Sequence, residues 1–238
     1  MKVARIPLIL ALVSAATLVA SGYGARFGIW DYRLGFQLVR WSLYGGLATA
    51  ALALAALSIP RFRAGHIPAL AAALVLGVGV AYFPWHWRET ARAVPAINDI
   101  TTDTENPPAF VAVIPLRADA PVPAAYPGSE VAAKQRSAYP DIRPLDLALP
   151  PPSAFARALD AAKSAGWEID AADAASGRIE ATATTPWFGF RDDVVIRVTP
   201  MTAGSRIDVR SVSRVGKSDL GANANRVRAY LAKVANAQ

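Results

Sequence analysis

A chain of 238 residues, 53% of them hydrophobic, is sized for one or two domains, and its formal charge of +7 is unevenly held. In the first 95 residues Lys2, Arg5, Arg26, Arg33, Arg40, Arg61, Arg63, Arg88 and Arg92 face only Asp31 and Glu89, so this stretch carries the whole excess. Basic residues that flank apolar runs mark membrane boundaries rather than a nucleic-acid surface, and the absence of cysteine excludes disulfides, thiol nucleophiles and thiolate metal sites.

Ile6–Ala20 is an uncharged apolar run behind Lys2 and Arg5, and Leu43–Ile59 and Ile67–Phe83 are two more. With their boundary residues these predict three spanning helices at about 5–22, 42–60 and 67–84, since roughly 20 apolar residues cross the hydrocarbon layer. Tyr82, Trp85 and Trp87 close the third run as an interfacial aromatic belt would. The alternative for the first run is a signal-peptide core, with the small residues of "VASGYGA" offering a cleavage site. Arg26, Arg33 and Arg40 recur every seven residues among Phe27, Trp30, Leu34, Leu38 and Trp41, which predicts an amphipathic helix over about 25–41 lying in the lipid interface. The three runs hold no Asp, Glu, Lys or Arg, so residues 1–95 read as an anchor rather than a transport path. The count of basic residues does not decide the orientation, since Lys2, Arg5, Arg61 and Arg63 fall on one side and Arg26, Arg33, Arg40, Arg88 and Arg92 on the other. A short basic tail before the first span favours the N-terminus inside, and three spans then put the rest of the chain in a bacterial periplasm.

From about residue 96 the composition turns to mixed charge and frequent proline, predicting a soluble α+β domain over 96–238. "FVAVIPL" (110–116) reads as a short strand, 129–137 as a short helix, and the proline-rich stretch from 140 to 152 as extended chain. Ser153 is placed to cap a helix whose apolar stripe is Phe155, Leu159 and Ala162, stopped at Gly166. Four period-two runs follow at 167–172, 178–185, 193–199 and 205–214, joined by hairpin-length turns, and a last helix runs from Asp219 to about Asn236. The expected fold is an antiparallel sheet of four or five strands with helices packed on one face.

The only histidines, His66 and His86, fall outside the soluble part. That excludes Ser-His-Asp or Cys-His hydrolysis there, and leaves carboxylate, Lys or Tyr for acid–base work. Asp192 and Asp193 are adjacent on a strand, so their side chains point to opposite faces and make no catalytic dyad. Asn98, Asp99, Thr101, Thr102, Asp103 and Glu105 are oxygen-rich enough to suggest a hard cation, but Pro107 and Pro108 break the EF-hand pattern and a loop satisfying its own amides is the simpler reading. Arg178, Arg197, Arg206, Arg210 and Arg214, interleaved with Glu180 and Asp208, read as a solvated sheet face. Gly216-Lys217-Ser218 looks like the end of a phosphate loop, but the first glycine of that motif would fall on Ser211, so nucleotide binding is excluded. The same residues make a strand-to-helix junction capped by Ser218 or Asp219, with Asn223 and Arg226 continuing a polar stripe.

"NDITTDTENPPAF" (98–110), "TPWFGFRDDVVIRV" (185–198) and "VRSVSRVGKSDLGANANRVRAYL" (209–231) together resemble the domain of unknown function 1499 family. The resemblance implies membrane association and brings no activity, cofactor or catalytic residue with it. It suggests that the first and third motifs meet in space, with Asp99 or Asp103 beside Arg214, Lys217 or Arg226. The expected ligand-binding residues are therefore Asn98, Asp99, Thr102, Asp103, Arg214, Lys217, Ser218, Asp219, Asn223 and Arg226, with no metal and no cofactor. The leading expectation is a non-enzymatic envelope protein in the bacterial inner membrane, contacting the lipid bilayer and an envelope protein or small ligand, with no nucleic acid. A carboxylate/arginine enzyme acting on a cell-envelope substrate and a structural assembly factor stay open beside it.

Overall fold

The computed structural model describes residues 5–236. Its contacts divide the chain into two units, one built on the N-terminal helices together with Pro186–Gly189, the other on Ala93–Thr185 and the chain from Phe190 onward.

The first unit holds α1 (Arg5–Arg26), α2 (Tyr32–Ser58), the single turn α3 (Pro60–Arg63) and α4 (Ile67–Ala93). Helices α1, α2 and α4 are each long and apolar enough to cross a membrane. Their packing is that of lipid-exposed helices: the interior is mostly small residues, with Val39, Leu70 and Val80 the larger ones buried, and most large aliphatic side chains face outward. Ala11, Ala53 and Ala73 are fully buried while Val13, Leu47, Leu54 and Val75 are more than half exposed. At Gly46 and Gly77 the backbones of α2 and α4 come so close that a Cβ on either glycine would lie within 2.8 Å of the other's carbonyl oxygen. The stretch read as a separate interfacial helix over 25–41 is not separate. Residues 27–31 form a turn, and Tyr32 begins the same 27-residue helix that contains the second apolar run. Asp31 caps that helix by accepting the Arg33 amide at 2.8 Å, so the cap overrides the seven-residue arginine spacing. Pro186–Gly189 joins this unit through the Trp187 indole, which donates to the Val19 carbonyl at 3.1 Å, and through Phe188 packed 5.0 Å from Phe36.

The second unit is α+β. Strands β1 (Asp99–Thr101), β2 (Leu145–Leu147), β3 (Glu168–Asp173), β4 (Arg178–Thr184), β5 (Arg191–Met201) and β6 (Gly204–Ser213) form one antiparallel sheet in the order β1-β6-β5-β4-β3, with β2 also pairing β6. Helices α5 (Ser129–Ala138), α6 (Pro151–Ser164) and α7 (Ala222–Asn236) complete it. The period-two alternation sends Ile179, Val194, Ile196, Ile207 and Val209 to one face, where α6 and α7 supply Phe155, Ala158, Val227 and Val234. Burial of these side chains, at about 25 cal/mol per Å² of apolar surface, is the main force holding helices to sheet. Helix α6 starts at Pro151 rather than at Ser153. Pro150 is its N-cap, because two prolines at the first helical positions have no N–H to lose.

The other face differs most from expectation. The segment from Thr102 to Gly128 lies across it, adding a second apolar cluster of Phe110, Val113, Val195 and Val212. Residues 110–116 form no strand; they run irregularly into a 3-10 turn at Pro115–Arg117. Their amides serve a side chain instead of a ladder, with Val111 N and Val113 N donating to the two Glu180 carboxylate oxygens at 2.8 and 2.9 Å.

Candidate functional site

The first and third motifs meet. Asp99–Thr101 pairs with Arg210–Val212 as adjacent strands, and the Ser213 amide donates to the Asn98 carbonyl at 3.0 Å. At the junction on the helix side, Asn223 is wholly buried and ties three elements together. Its Nδ2 donates to the Asn98 carbonyl (3.0 Å) and Ser213 Oγ (2.9 Å), and its Oδ1 accepts from Ser211 Oγ (2.6 Å) and from Arg226. Arg226 reaches on to Asp192 at 2.5 Å. Asp219 accepts from the Gly221 and Asn223 amides at 2.8 and 2.7 Å and so caps α7; burial nevertheless raises its carboxyl pKa. Leu220 takes a positive φ of 56° to make this corner, a conformation few side chains adopt. Ser218 accepts the Leu220 amide, Asn98 Nδ2 donates to the Gly216 carbonyl, and Lys217 stays exposed.

The pairing within the motifs is not the expected one. Asp99 meets Arg210, in a bidentate pair at 2.9 and 2.7 Å, and not Arg214, Lys217 or Arg226. Both partners are 2% exposed or less, and Arg210 is sandwiched by Phe110 and Tyr126, with ring centroids at 5.0 and 5.3 Å. Burial raises the Asp99 pKa against the pull of Arg210, and the same burial pushes the Tyr126 hydroxyl up to about 12. Asp103 turns instead to Arg206 (3.1 Å) and Arg197 (3.4 Å), while its other oxygen caps the amides of Glu105 and Asn106. Arg214 holds Asp193, which also takes Arg117 at 2.7 Å. Thr102 donates to Asp208 and accepts the Val209 amide. Asp192 and Asp193 do part to opposite faces, one to Arg226 and the other to Arg117 and Arg214. The acids of this face are thus covered rather than solvated: Glu180, Asp193 and Asp208 are each 0% exposed, and Arg210 and Arg214 are covered with them, while Arg178, Arg197 and Arg206 reach the surface.

What the network leaves open lies beside β1. Gln135 of α5 stands where a further strand would be, accepting the Thr101 amide at 3.0 Å and donating to the Thr101 carbonyl at 2.6 Å. The edge is closed by a side chain, and a cleft of about 240 Å³ forms past it, lined by Thr102, Thr104, Gln135, Arg136, Tyr139 and Arg143 with Pro140 and Ile142 as apolar floor. Arg136 Nη1 donates to Thr104 Oγ1 (2.9 Å) and Glu105 (2.8 Å), and Arg143 Nε to the Pro140 carbonyl (3.0 Å). Of the ten residues singled out in sequence, only Thr102 borders this cleft. Arg136 and Arg143 escaped notice although they stand seven apart, the first in a short helix and the second just past its closing proline.

The family described as "Protein of unknown function (DUF1499)" matches residues 99–234, and the chain belongs to it. No curated protein matches the chain.

Proposed function

We propose that this member of the DUF1499 family is an inner-membrane-anchored envelope protein whose α+β unit is a non-enzymatic binding module for a small ligand or partner. One observation carries the reading. The carboxylates that acid–base chemistry would draw on are held by arginines (Asp99 by Arg210, Asp192 by Arg226, Asp193 by Arg117 and Arg214, Asp208 by Arg197 and Arg206), whereas the cleft beside β1 presents guanidinium and hydroxyl donors to solvent. A carboxylate locked in a bidentate or doubly paired site is a poor proton carrier, because moving its proton breaks the pair. Open donors over an apolar floor are the ordinary makings of a ligand site. Native mass spectrometry of the detergent-purified full-length protein tests this. A retained small molecule or protein supports it, and bare protein under conditions that keep micelle-bound lipid counts against it.

The periplasmic placement rests on Lys2 and Arg5 ahead of the first of three spans. The chain has no cysteine, so Ala175→Cys in the β3–β4 turn gives a single label site. Labelling of intact spheroplasts by a membrane-impermeant maleimide is expected; labelling only after lysis overturns the placement.

A further inference from the structure

We infer that the cleft beside β1 binds a small anion, a carboxylate or phosphate carried on a compact apolar or ring-shaped body; this rests on the reading of the unit as a binding module. The lining holds two arginines and no acid. Arg143 makes one hydrogen bond, from Nε to a carbonyl, and no described carboxylate pairs with it, so both of its terminal nitrogens are available. Arg136 gives one nitrogen to Thr104 and Glu105 and keeps the other two. Two described acids touch the lining: Asp208, which accepts from Thr102 and is itself held by Arg197 and Arg206, and Glu105, whose side chain is 85% exposed and so draws Arg136 toward the rim without entering the floor. The nearby acids are occupied elsewhere: Asp103 with Arg197, Arg206 and two amides, Asp141 with Arg228 at 2.7 Å. Thr104 accepts from Arg136, which leaves its own hydroxyl proton to donate, and Gln135 has a second amide proton beyond the one on Thr101. The groups on offer are therefore donors, four side chains converging on one cleft, with two formal positive charges.

A planar guanidinium fork fits a carboxylate or phosphate with two parallel bonds, about twice as strong as neutral ones. Tyr139, Pro140 and Ile142 give the rest of the ligand an apolar bed rather than a second set of hydrogen bonds. At about 240 Å³ the cleft falls just below the roughly 300 Å³ at which drug-sized sites begin, so the ligand is small. Gln135 fixes one wall of the cleft to the β1 backbone before the ligand arrives.

The test is calorimetric titration of the full-length protein in micelles with phenyl phosphate, benzoate and neutral benzyl alcohol. The expected result is that at least one anion binds tenfold or more tighter than benzyl alcohol; the tighter of the two anions identifies the head group. Arg143→Gln and Arg136→Gln are each expected to weaken that binding by on the order of tenfold to a hundredfold, the usual loss for a charge-assisted bond. Arg157→Gln on α6 is expected to leave it unchanged. Neither cleft variant removes a buried contact, and an unaltered melting temperature confirms folding. Equal binding of the neutral probe, with Arg143→Gln indifferent, overturns the anion assignment while the binding-module reading stands. No binding of any probe, together with no ligand retained in the native mass spectrum, overturns both.

Discussion

Replacing Arg210 by Met keeps the length of the side chain and deletes its charge. The Arg210 guanidinium makes four hydrogen bonds, two to Asp99 and one each to the carbonyls of Pro108 (3.2 Å) and Ala124 (2.8 Å). All of those partners stay behind. Two orphaned carbonyls at about 1–3 kcal/mol each, plus a buried carboxylate, would rival the whole stability of a marginal domain if simply added. Asp99 has an escape, because it can take up a proton, and burial already raises its pKa. The expected loss is therefore about 3–5 kcal/mol, the range for a buried pair broken on one side. Asp99→Leu with Arg210→Met removes both charges, and the double variant should recover at least about 2 kcal/mol relative to the summed single losses. The pH dependence has a definite sign. A carboxyl whose folded pKa lies above the ordinary 3.8 contributes stability fully below 3.8 and loses it as pH rises through the raised value. Without Arg210 that value rises further, so the deficit of the single variant should shrink as pH falls from 7 toward 4. Urea titration in micelles read by pulse proteolysis measures all three. A loss under about 1 kcal/mol for Arg210→Met, or additive losses in the double variant, refutes the account.

Gln135→Leu should leave the Thr101 amide and carbonyl without partners, costing about 1–3 kcal/mol and raising deuterium exchange at Thr101 while β5 amides keep their protection; unchanged exchange at Thr101 would mean that the side chain does not close this edge. Asp170 sits at a bulge where the β3–β4 register shifts, accepts from Thr182 at 2.9 Å, and has its pKa raised by burial first and by the nearness of Glu168 and Asp193 after it. Asp170→Asn should raise the melting temperature at pH 7 and lose that advantage below about pH 3.8, because the raised carboxyl costs stability only where it is charged; a lower melting temperature at pH 7 would contradict this. In the helical unit Gly35→Val would put a Cβ 2.7 Å from the Ser21 carbonyl and 2.8 Å from the Phe188 ring, for a loss of about 1–3 kcal/mol, whereas Gly79→Val meets nothing within 4 Å and should be silent in the same thermal melt.

The legible parts of this chain are those where one local signal has no rival. The strands at 178–185 and 205–214 alternate cleanly and lie within a residue or two of β4 and β6, and the parting of Asp192 from Asp193 follows from strand geometry alone. The apolar stripe of the last helix is likewise visible, with Ala224, Val227 and Val234 all buried at helical spacing. The expectation about the motif pair was half right for a physical reason: sequence shows that acids and bases are present in two motifs, but register decides which of them meet. Asp99 stands opposite Val212 in the ladder, so the arginine within reach on the same face is two residues earlier, at 210, rather than at 214. Arg214 is carried past the end of β1 to Asp193.

The 110–116 error has the opposite origin. Phe110 and Val113 are buried while Val111, Ile114 and Leu116 are exposed, a mixture that looks like a strand until the amides are followed to Glu180. A carboxylate at 0% exposure, with Arg178 as its one charged partner at 3.1 Å, needs further donors, and an irregular loop is the kind of backbone with amides to spare. The same demand explains why, of the five arginines that read as a solvated face, Arg210 and Arg214 are covered, while Arg178, Arg197 and Arg206 stay partly exposed. Each buried acid draws an arginine or an amide over it, and the cover segment supplies Arg117, Pro108 O and Ala124 O to finish the network. It follows that the residues which make the motifs recognisable hold the sheet face together, and that a ligand site has to be sought where donors outnumber acceptors. Beside β1 that imbalance survives folding: Arg136 and Arg143 keep nitrogens that nothing in the described chain claims, and a surplus of positive donors over an apolar floor is what an anion would complete.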